Sequence, residues 1–157
     1  MTLHVVLDIE TTGLRPGVDP ILEVAWKIVD NDLNDIVKDD FTFCGSMLIN
    51  NDISKVNELL SENAYVFNMH TGSGLLRDLA VGPVYDLDFA GRVLSEQLAI
   101  AQGVTGDYAS PKLAGYSIDF DRKMLLATGG VFAEMLDTSR ESDRHPNFHH
   151  RLLDVSG

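Results

Sequence analysis

The chain has 157 residues, 45% of them hydrophobic, and a formal net charge of −12 at pH 7. This length and composition suit one folded domain with its own core and exclude a disordered chain. The negative charge argues against a protein that grips long nucleic acid through a broad basic surface, and the single cysteine excludes an internal disulfide.

The first predicted element is a strand within Leu3–Leu14 that ends in two acidic residues and a glycine turn. Val5-Val6-Leu7 is apolar throughout, which predicts a central strand covered on both faces. Strand side chains alternate, so Asp8 and Glu10 leave the backbone on the same face about 6.5–7 Å apart. Converging carboxylates repel each other and lose solvation, and a divalent cation would offset both costs. Two solvated acids at an ordinary strand edge remain the alternative from this stretch alone.

Two further strands are predicted after that turn. Ile21–Val29 has the alternation of a second strand, and a polar turn at Asp30–Asp35 leads into a third strand at Ile36–Phe43. Antiparallel strands joined in this way and followed by helices predict a mixed sheet. The turn spaces its acids like a calcium loop, but Asp35 and Phe41 replace the required Gly and Glu, so we reject calcium binding.

The remainder of the chain is predicted to alternate helices, loops and short strands. Apolar residues at three- and four-residue steps predict a helix at Asp86–Ala101, and a shorter one is expected at Asn51–Leu60. Met69–Gly74 is predicted as a loop; it lacks the Gly-Lys-Ser/Thr ending of a phosphate-binding loop. The other expected elements are a strand at Lys112–Tyr116, a helix at Asp119–Leu126, a loop at Asp137–Pro146 and a final strand at Arg151–Val155. No repeat or boundary divides residues 1–157, so we expect a single domain.

A second acidic cluster lies where a predicted strand meets a predicted helix. Gly115–Asp121 spans this junction, with Asp119 and Asp121 in the first helical turn, where the helix dipole favours acids. Asp8, Glu10 and one of these two aspartates would form an all-oxygen site, which suits Mg²⁺ or Mn²⁺ better than zinc. Two such ions, about 3.5–4 Å apart, can clamp the attacking and leaving oxygens of a phosphodiester displacement.

The order of several motifs resembles one enzyme family. The sequence contains DIETTGL at Asp8–Leu14, ILEVA at Ile21–Ala25, HTGSGL at His70–Leu75, GYSIDFDR at Gly115–Arg122 and FHHRLLDVS at Phe148–Ser156. The first motif resembles that of the DEDD superfamily of 3′-to-5′ exonucleases, and the HTGSGL and LDVS segments resemble the oligoribonucleases within it. The resemblance implies an α/β fold with a ribonuclease H-like mixed β-sheet flanked by α-helices.

The resemblance also implies roles for individual residues. It makes Asp8, Glu10 and Asp121 the catalytic metal ligands; Asp121 is preferred to Asp119 because the family ligand directly precedes a basic pair, here Arg122-Lys123. Asp119 is then expected to cap the helix. The implied substrate-binding residues are Thr11, Leu14, Tyr65, His70, Ser117 and Arg151.

The implied substrate contacts differ in kind. Leu14 would wedge between the two terminal bases, and Tyr65 would stack on a base in place of the family's tryptophan. His70 would contact the substrate. Ser117 and Arg151 would bind the far phosphate of a very short substrate, although His150 replaces the tyrosine expected beside that arginine.

The end of the sequence departs from the family pattern. In the family a third motif, His-x-x-x-x-Asp on a helix, follows the Leu-Asp-Val-Ser strand and supplies the general base and the last metal ligand. This sequence ends at Gly157, so we expect a domain that is C-terminally incomplete relative to the family, without its last helices. His149 and Asp154 have the same spacing and are the alternative, although a strand does not present positions five apart side by side.

The resemblance therefore implies a metal-dependent 3′-to-5′ exoribonuclease that degrades short oligoribonucleotides to mononucleotides with two Mg²⁺ or Mn²⁺ ions. It further implies a homodimer. A DNA 3′-to-5′ exonuclease and a non-catalytic metal- and oligonucleotide-binding module remain alternatives. No apolar run approaches the roughly 18 residues that span a bilayer, so we expect a cytoplasmic protein with no membrane partner.

Overall fold

The computed structural model describes residues 1–139 and 145–156. Its strands are β1 (His4–Thr11), β2 (Ile21–Val29), β3 (Val37–Lys38), β4 (Phe41–Thr42), β5 (Cys44–Leu48), β6 (Lys112–Gly115) and β7 (Leu153–Asp154). Its helices are α1 (Ile53–Ser61), α2 (Ala64–Ser73), α3 (Leu75–Val81), α4 (Leu87–Thr105), α5 (Ile118–Thr128) and α6 (Gly130–Leu136).

The main sheet is mixed, as the sequence predicts. Its strand order is β5-β2-β1-β6-β7, with β1 antiparallel to β2 and parallel to β6. The strand at Ile21–Val29 is confirmed, as are the helices near Asn51–Leu60 and Asp86–Ala101. Asp52 begins α1 by accepting the backbone N–H groups of Ser54 and Lys55, which stabilises a helix start. The α/β fold with a helix-flanked mixed sheet is therefore confirmed.

The two faces of β1 have different environments. Val5 and Leu7 are 0% and 2% exposed, and they pack in the core with α4, α5 and α6. Val6, which points to the opposite face, is 37% exposed. The prediction that β1 is covered on both faces is therefore wrong, because an apolar run shows that a strand is central but not which of its faces is packed.

A smaller core cluster lies under the first three helices. Leu22 of β2 packs there with Val56 and Leu60 of α1, Val66 of α2 and Leu75 of α3. This cluster fixes α2 beside the end of β1, which matters for the site described below.

The predicted third strand at Ile36–Phe43 is wrong. The chain forms the hairpin of β3 and β4 there, and β5 follows to pair with β2. The reversal occurs at Asp39 and Asp40, whose φ angles are 50° and 63°. Two consecutive left-handed residues match the turn that joins the strands of a tight hairpin, and aspartate tolerates this conformation better than most residues.

The predicted loop at Met69–Gly74 is also wrong for most of its length. α2 continues to Ser73, and only Gly74, with a φ of 86°, breaks the helix before α3. Helix α6 was not predicted. The loop predicted at Asp137–Pro146 is non-helical where the structure describes it, and residues 140–144 lie outside the described residues. Within the described part of the chain, no helix is long and apolar enough to cross a membrane.

Candidate active site

Asp121 lies against β1 at the point where β6 leaves it. β1 and β6 pair only from His4–Lys112 to Val6–Ala114, so β6 no longer offers a partner to the backbone further along β1. There, the Oδ1 of Asp121 accepts the backbone N–H of Ile9 at 3.0 Å. Because Ile9 stands between Asp8 and Glu10, this bond brings the carboxylate of Asp121 beside both acids.

The three acids share an unfavourable electrostatic environment. Burial raises the pKa of Asp121 to about 7; the hydrogen bond from Ile9 opposes this shift, and the charges of Asp8 and Glu10 add to it. Partial burial also raises the pKa values of Asp8 and Glu10. The site therefore disfavours three negative charges when nothing positive is bound.

A fourth acid, Glu23, faces the same site. It is the direct cross-strand partner of Glu10, and its charge contributes to the raised pKa values of Asp8 and Glu10. Its Oε1 accepts the hydroxyl of Ser46 at 2.6 Å. Glu23 lies within the ILEVA motif, but the sequence alone implies no role for it, because the alternation of β2 shows its face and not its register with β1.

The nearby basic side chains are engaged elsewhere. Arg15 pairs with Asp19 at 2.7 Å, and Lys123 pairs with Asp119 one helical turn along α5. Asp119 therefore forms an exposed ion pair; the residue at the N-cap of α5 is Ser117, so the expected capping role of Asp119 is wrong.

The donor chemistry of the site fits a hard divalent cation. Carboxylate oxygens are the ligands that Mg²⁺ and Mn²⁺ prefer, and a bound cation would offset the repulsion among Asp8, Glu10 and Asp121. Within residues 1–139 and 145–156, however, no three or more His, Cys, Asp or Glu side chains are arranged as a metal site. The three carboxylates must therefore turn toward a common point to share an ion.

His70 contacts the same end of β1 from α2. Its Nε2 lies 2.7 Å from the carbonyl oxygen of Thr11, and its Nδ1 lies 3.6 Å from a carboxylate oxygen of Glu10. The side chain is 1% exposed, so its ring edges face these groups and not solvent.

The turn after β1 is held by internal hydrogen bonds and leaves the apolar side chain of Leu14 exposed. The hydroxyl of Thr11 donates to the carbonyl of Gly13 at 2.6 Å, so Thr11 is buried within the turn. Asp19 is 5% exposed and accepts bonds from the backbone and guanidinium of Arg15. Leu14, between these braced residues, is 77% exposed.

Tyr65 is also presented to solvent, near this turn. It lies in the first turn of α2 and is 77% exposed. His70 of α2 contacts the carbonyl oxygen of Thr11, which places α2 close to the turn after β1. Leu14, in the turn after β1, and Tyr65, at the start of α2, are therefore two exposed apolar surfaces on neighbouring elements.

The structure does not join the two residues expected to bind a phosphate. Ser117 is exposed, has a left-handed conformation (φ 50°, ψ 36°) and donates its backbone N–H to Asp154 at 3.2 Å. Arg151 is exposed and donates its backbone N–H to His149 at 3.0 Å. Ser117 follows the end of β6, whereas Arg151 lies two residues before β7, towards the start of β6. No described hydrogen bond connects them.

His149 is separated along the sheet from the acids of β1, and Asp154 is hydrogen-bonded elsewhere. The backbone N–H of His149 bonds to Pro111, at the start of β6, whereas Asp8 lies two residues beyond the Val6–Ala114 pair. At about 3.3 Å per residue this difference is roughly 16 Å along the strands. Asp154 is held by Ser117 and Ser156, and these bonds keep its pKa low. Their spacing in the sequence therefore does not bring this pair to the site.

Comparisons with known proteins give consistent results. No family model matches the chain. The chain is 32% identical over 151 residues to the oligoribonuclease of Pseudoalteromonas translucida, covering 96% of this chain and 69% of that protein. It is 33% identical over 151 residues to the oligoribonuclease of Corynebacterium diphtheriae, covering 96% of this chain and 60% of that protein. The chain thus spans about three fifths to two thirds of the length of these relatives.

Solved structures share the fold. One is the metal-free form of a complex of E. coli exonuclease I with single-stranded DNA, with a TM-score of 0.53, 15% identity and coverage of 99% of this chain and 28% of that one. Another is exonuclease I from Methylocaldum szegediense, with a TM-score of 0.50, 16% identity and coverage of 80% of this chain and 22% of that one.

Proposed function

The chain belongs to the oligoribonuclease family, and we propose on this premise that it is a metal-dependent 3′-to-5′ exoribonuclease that degrades short oligoribonucleotides to mononucleotides. The observation that supports this most is the bond from Ile9 to Asp121, which brings a helix carboxylate beside Asp8 and Glu10. Ile9 and Asp121 are 112 positions apart in the sequence, so their proximity is a property of the fold.

In this proposal Asp8, Glu10 and Asp121 hold divalent ions, either Mg²⁺ or Mn²⁺. When bound, such ions polarise the phosphodiester and stabilise the charge that develops on the leaving 3′ oxygen. The raised pKa values of the acids support this, because a bound cation would favour their ionised forms.

The turn after β1 and the start of α2 would bind the bases. Leu14 and Tyr65 present exposed apolar surface, and a base of any identity can stack on a tyrosine. The net charge of −12 is compatible with a substrate of two to five nucleotides, because so short a substrate offers few phosphates for a basic surface to bind. Ser117 and Arg151 remain proposed contacts to the far phosphate, and Arg151 would have to approach Ser117 to share it.

A non-catalytic metal- and oligonucleotide-binding module is the second candidate. The position of His149 favours it, because this histidine lies roughly 16 Å along the strands from Asp8 and is badly placed to activate water there. We also keep as proposals the homodimer and the preference for RNA over DNA.

One assay separates these candidates. Labelled RNAs and matched DNAs of two to five nucleotides are incubated with the chain and Mn²⁺, and both binding and release of mononucleotides are measured. Turnover that is faster on RNA supports the exoribonuclease, since a site that reads the 2′-hydroxyl prefers RNA. Faster turnover on DNA supports the DNA exonuclease, and binding without turnover supports the binding module. The absence of both binding and turnover would contradict the proposal.

Asp119→Asn is the matched control for this assay. It removes a carboxylate two positions from Asp121, on the same helix, but one that is exposed and paired with Lys123. We expect Asp121→Asn to lower turnover or binding strongly and Asp119→Asn to leave both near the wild-type level.

A further inference from the structure

Tyr116 is an exposed aromatic side chain to which the proposed function gives no role. It is 70% exposed and lies between Gly115, the last residue of β6, and Ser117, the N-cap of α5. The helix that begins there carries Asp121. Single exposed rings are common on protein surfaces, so the position of Tyr116 relative to the acids decides whether it has a function.

The register of β1 with β6 places Tyr116 beside Asp8. Val6 pairs with Ala114, and two positions further along the two chains are Asp8 and Tyr116. Gly115 keeps the chains together up to that point, because a Cβ atom there would lie only 2.6 Å from a main-chain carbonyl oxygen of β1. Neighbouring strands are about 5 Å apart, so the backbone of Tyr116 lies about one strand spacing from that of Asp8.

Tyr116 also belongs to the acid-bearing face of the sheet. Paired residues of neighbouring strands point to the same face, and side chains alternate along each strand. Val6, Asp8 and Ala114 therefore share one face, and the same alternation assigns Tyr116 to it. The exposure of the ring agrees with this assignment, because the opposite face of the sheet is buried against the helices.

The backbone is held on both sides of Tyr116. The carbonyl oxygen of Gly115 accepts the backbone N–H of Val155 at 3.0 Å, and the backbone N–H of Ser117 donates to the carboxylate of Asp154 at 3.2 Å. A side chain on a fixed backbone loses less conformational freedom when it binds a ligand. The exposed ring is therefore carried by a preorganised support.

We propose that Tyr116 stacks on one base of the bound oligonucleotide, on the β6 side of the acids. Tyr65 lies on the other side, because α2 packs against Leu22 of β2, and β1 lies between β2 and β6. A phosphodiester held at the acids of β1 then has an aromatic ring on each side, so the site recognises bases on both sides of the bond that it cleaves. This inference rests on the proposed function for the role of the acids.

Calorimetric titration of a three-nucleotide RNA into the wild-type chain and its variants tests the contact. Ca²⁺ replaces Mn²⁺, and chromatography verifies that the RNA remains intact. We expect Tyr116→Ala to weaken binding by about tenfold, whereas Tyr116→Phe keeps the aromatic face and should bind near the wild-type level. Tyr108→Ala is the matched control, because Tyr108 is 74% exposed but precedes the opposite end of β6. It should leave binding unchanged.

RNAs that lack a single base separate stacking from a contact to the sugar-phosphate backbone. The same titrations are repeated with each nucleotide of the RNA in turn made abasic. For one of these RNAs the wild type and Tyr116→Ala should bind equally, because the base that stacks on the ring is missing. If Tyr116→Phe binds as weakly as Tyr116→Ala, or if every abasic RNA keeps the difference, Tyr116 does not stack on a base and the inference is wrong.

The outcomes distinguish this inference from the proposed function. Because the ring is exposed, we expect all the variants to unfold thermally near the wild-type temperature. If the wild type and Tyr116→Ala bind the intact RNA equally, the inference is wrong and the proposed function stands. If the wild-type chain binds no RNA of two to five nucleotides, the proposed function fails and the inference fails with it.

Discussion

The two faces of β1 have opposite effects on stability, although their residues alternate along one strand. Val5, Leu7 and Ile9 are buried against the helices, and their packing holds the strand in place. Val6 and Asp8 on the other face are exposed, and Glu10 is partly so. The packed face stabilises the fold, whereas the acid-bearing face gathers charges that repel each other. The difference teaches that the repulsion among the acids is tolerated because the packing of the opposite face of the same strand offsets its cost in stability.

The largest expected effect comes from removing the buried acid. The pKa of Asp121 is raised from 3.8 to about 7, so the folded chain binds more protons than the unfolded chain between these values. Its contribution to stability is therefore complete below pH 3.8 and is lost as the pH rises through 7. We expect Asp121→Asn to stabilise the metal-free chain at pH 8 by up to roughly 4 kcal/mol, and by much less at pH 4. Urea unfolding at the two pH values measures this, and an equal effect at both would contradict it.

A matched pair of substitutions compares the two faces directly. Val5→Ala removes two methyl groups from a side chain that is 0% exposed, whereas Val6→Ala removes them from one that is 37% exposed. We expect losses of about 2–3 kcal/mol for Val5→Ala and about 0.5 kcal/mol for Val6→Ala. Urea unfolding of both variants in chelator provides the measurement. Equal losses would show that Val6 is packed in solution and that the two faces do not differ.

The smallest expected effect concerns backbone strain near the acid-bearing face. Ser117 has a left-handed conformation, which glycine adopts without the steric cost of a Cβ atom. Ser117→Gly should raise the free energy of unfolding by about 0.5 kcal/mol, since the greater freedom of glycine in the unfolded chain offsets part of the gain. Ser117→Ala is the control and should give no such gain, because alanine retains the Cβ atom. Thermal unfolding reports both, and a loss with glycine would contradict the argument.

Periodic patterns predicted the elements whose residues repeat regularly. The alternation of Ile21–Val29 and the helical spacing of Asp86–Ala101 are local properties, and both elements are confirmed. The Gly and Ser content of Met69–Gly74 predicts a loop, whereas packing of Val66 and the burial of His70 keep α2 helical through most of it. Tertiary contacts overrode local propensity there.

The sequence indicates which acids to expect at the site, but not the hydrogen bond and the strand register that bring them together. The sequence motifs predict Asp8, Glu10 and Asp121 as metal ligands. The bond that joins Asp121 to Ile9 spans 112 positions, and it depends on where β6 leaves β1. The same holds for Glu23, whose register with Glu10 is fixed by strand pairing. Such distant relations are properties of the folded sheet, and no local pattern encodes them.

The most direct test is a calorimetric titration of Mn²⁺ into the wild-type chain, Asp121→Asn and Asp119→Asn at pH 8. If Asp8, Glu10 and Asp121 bind a divalent ion together, the wild type and Asp119→Asn should bind with similar affinity and Asp121→Asn at least about tenfold more weakly. Equal binding by Asp121→Asn and wild type, or no binding by the wild-type chain, would contradict the account.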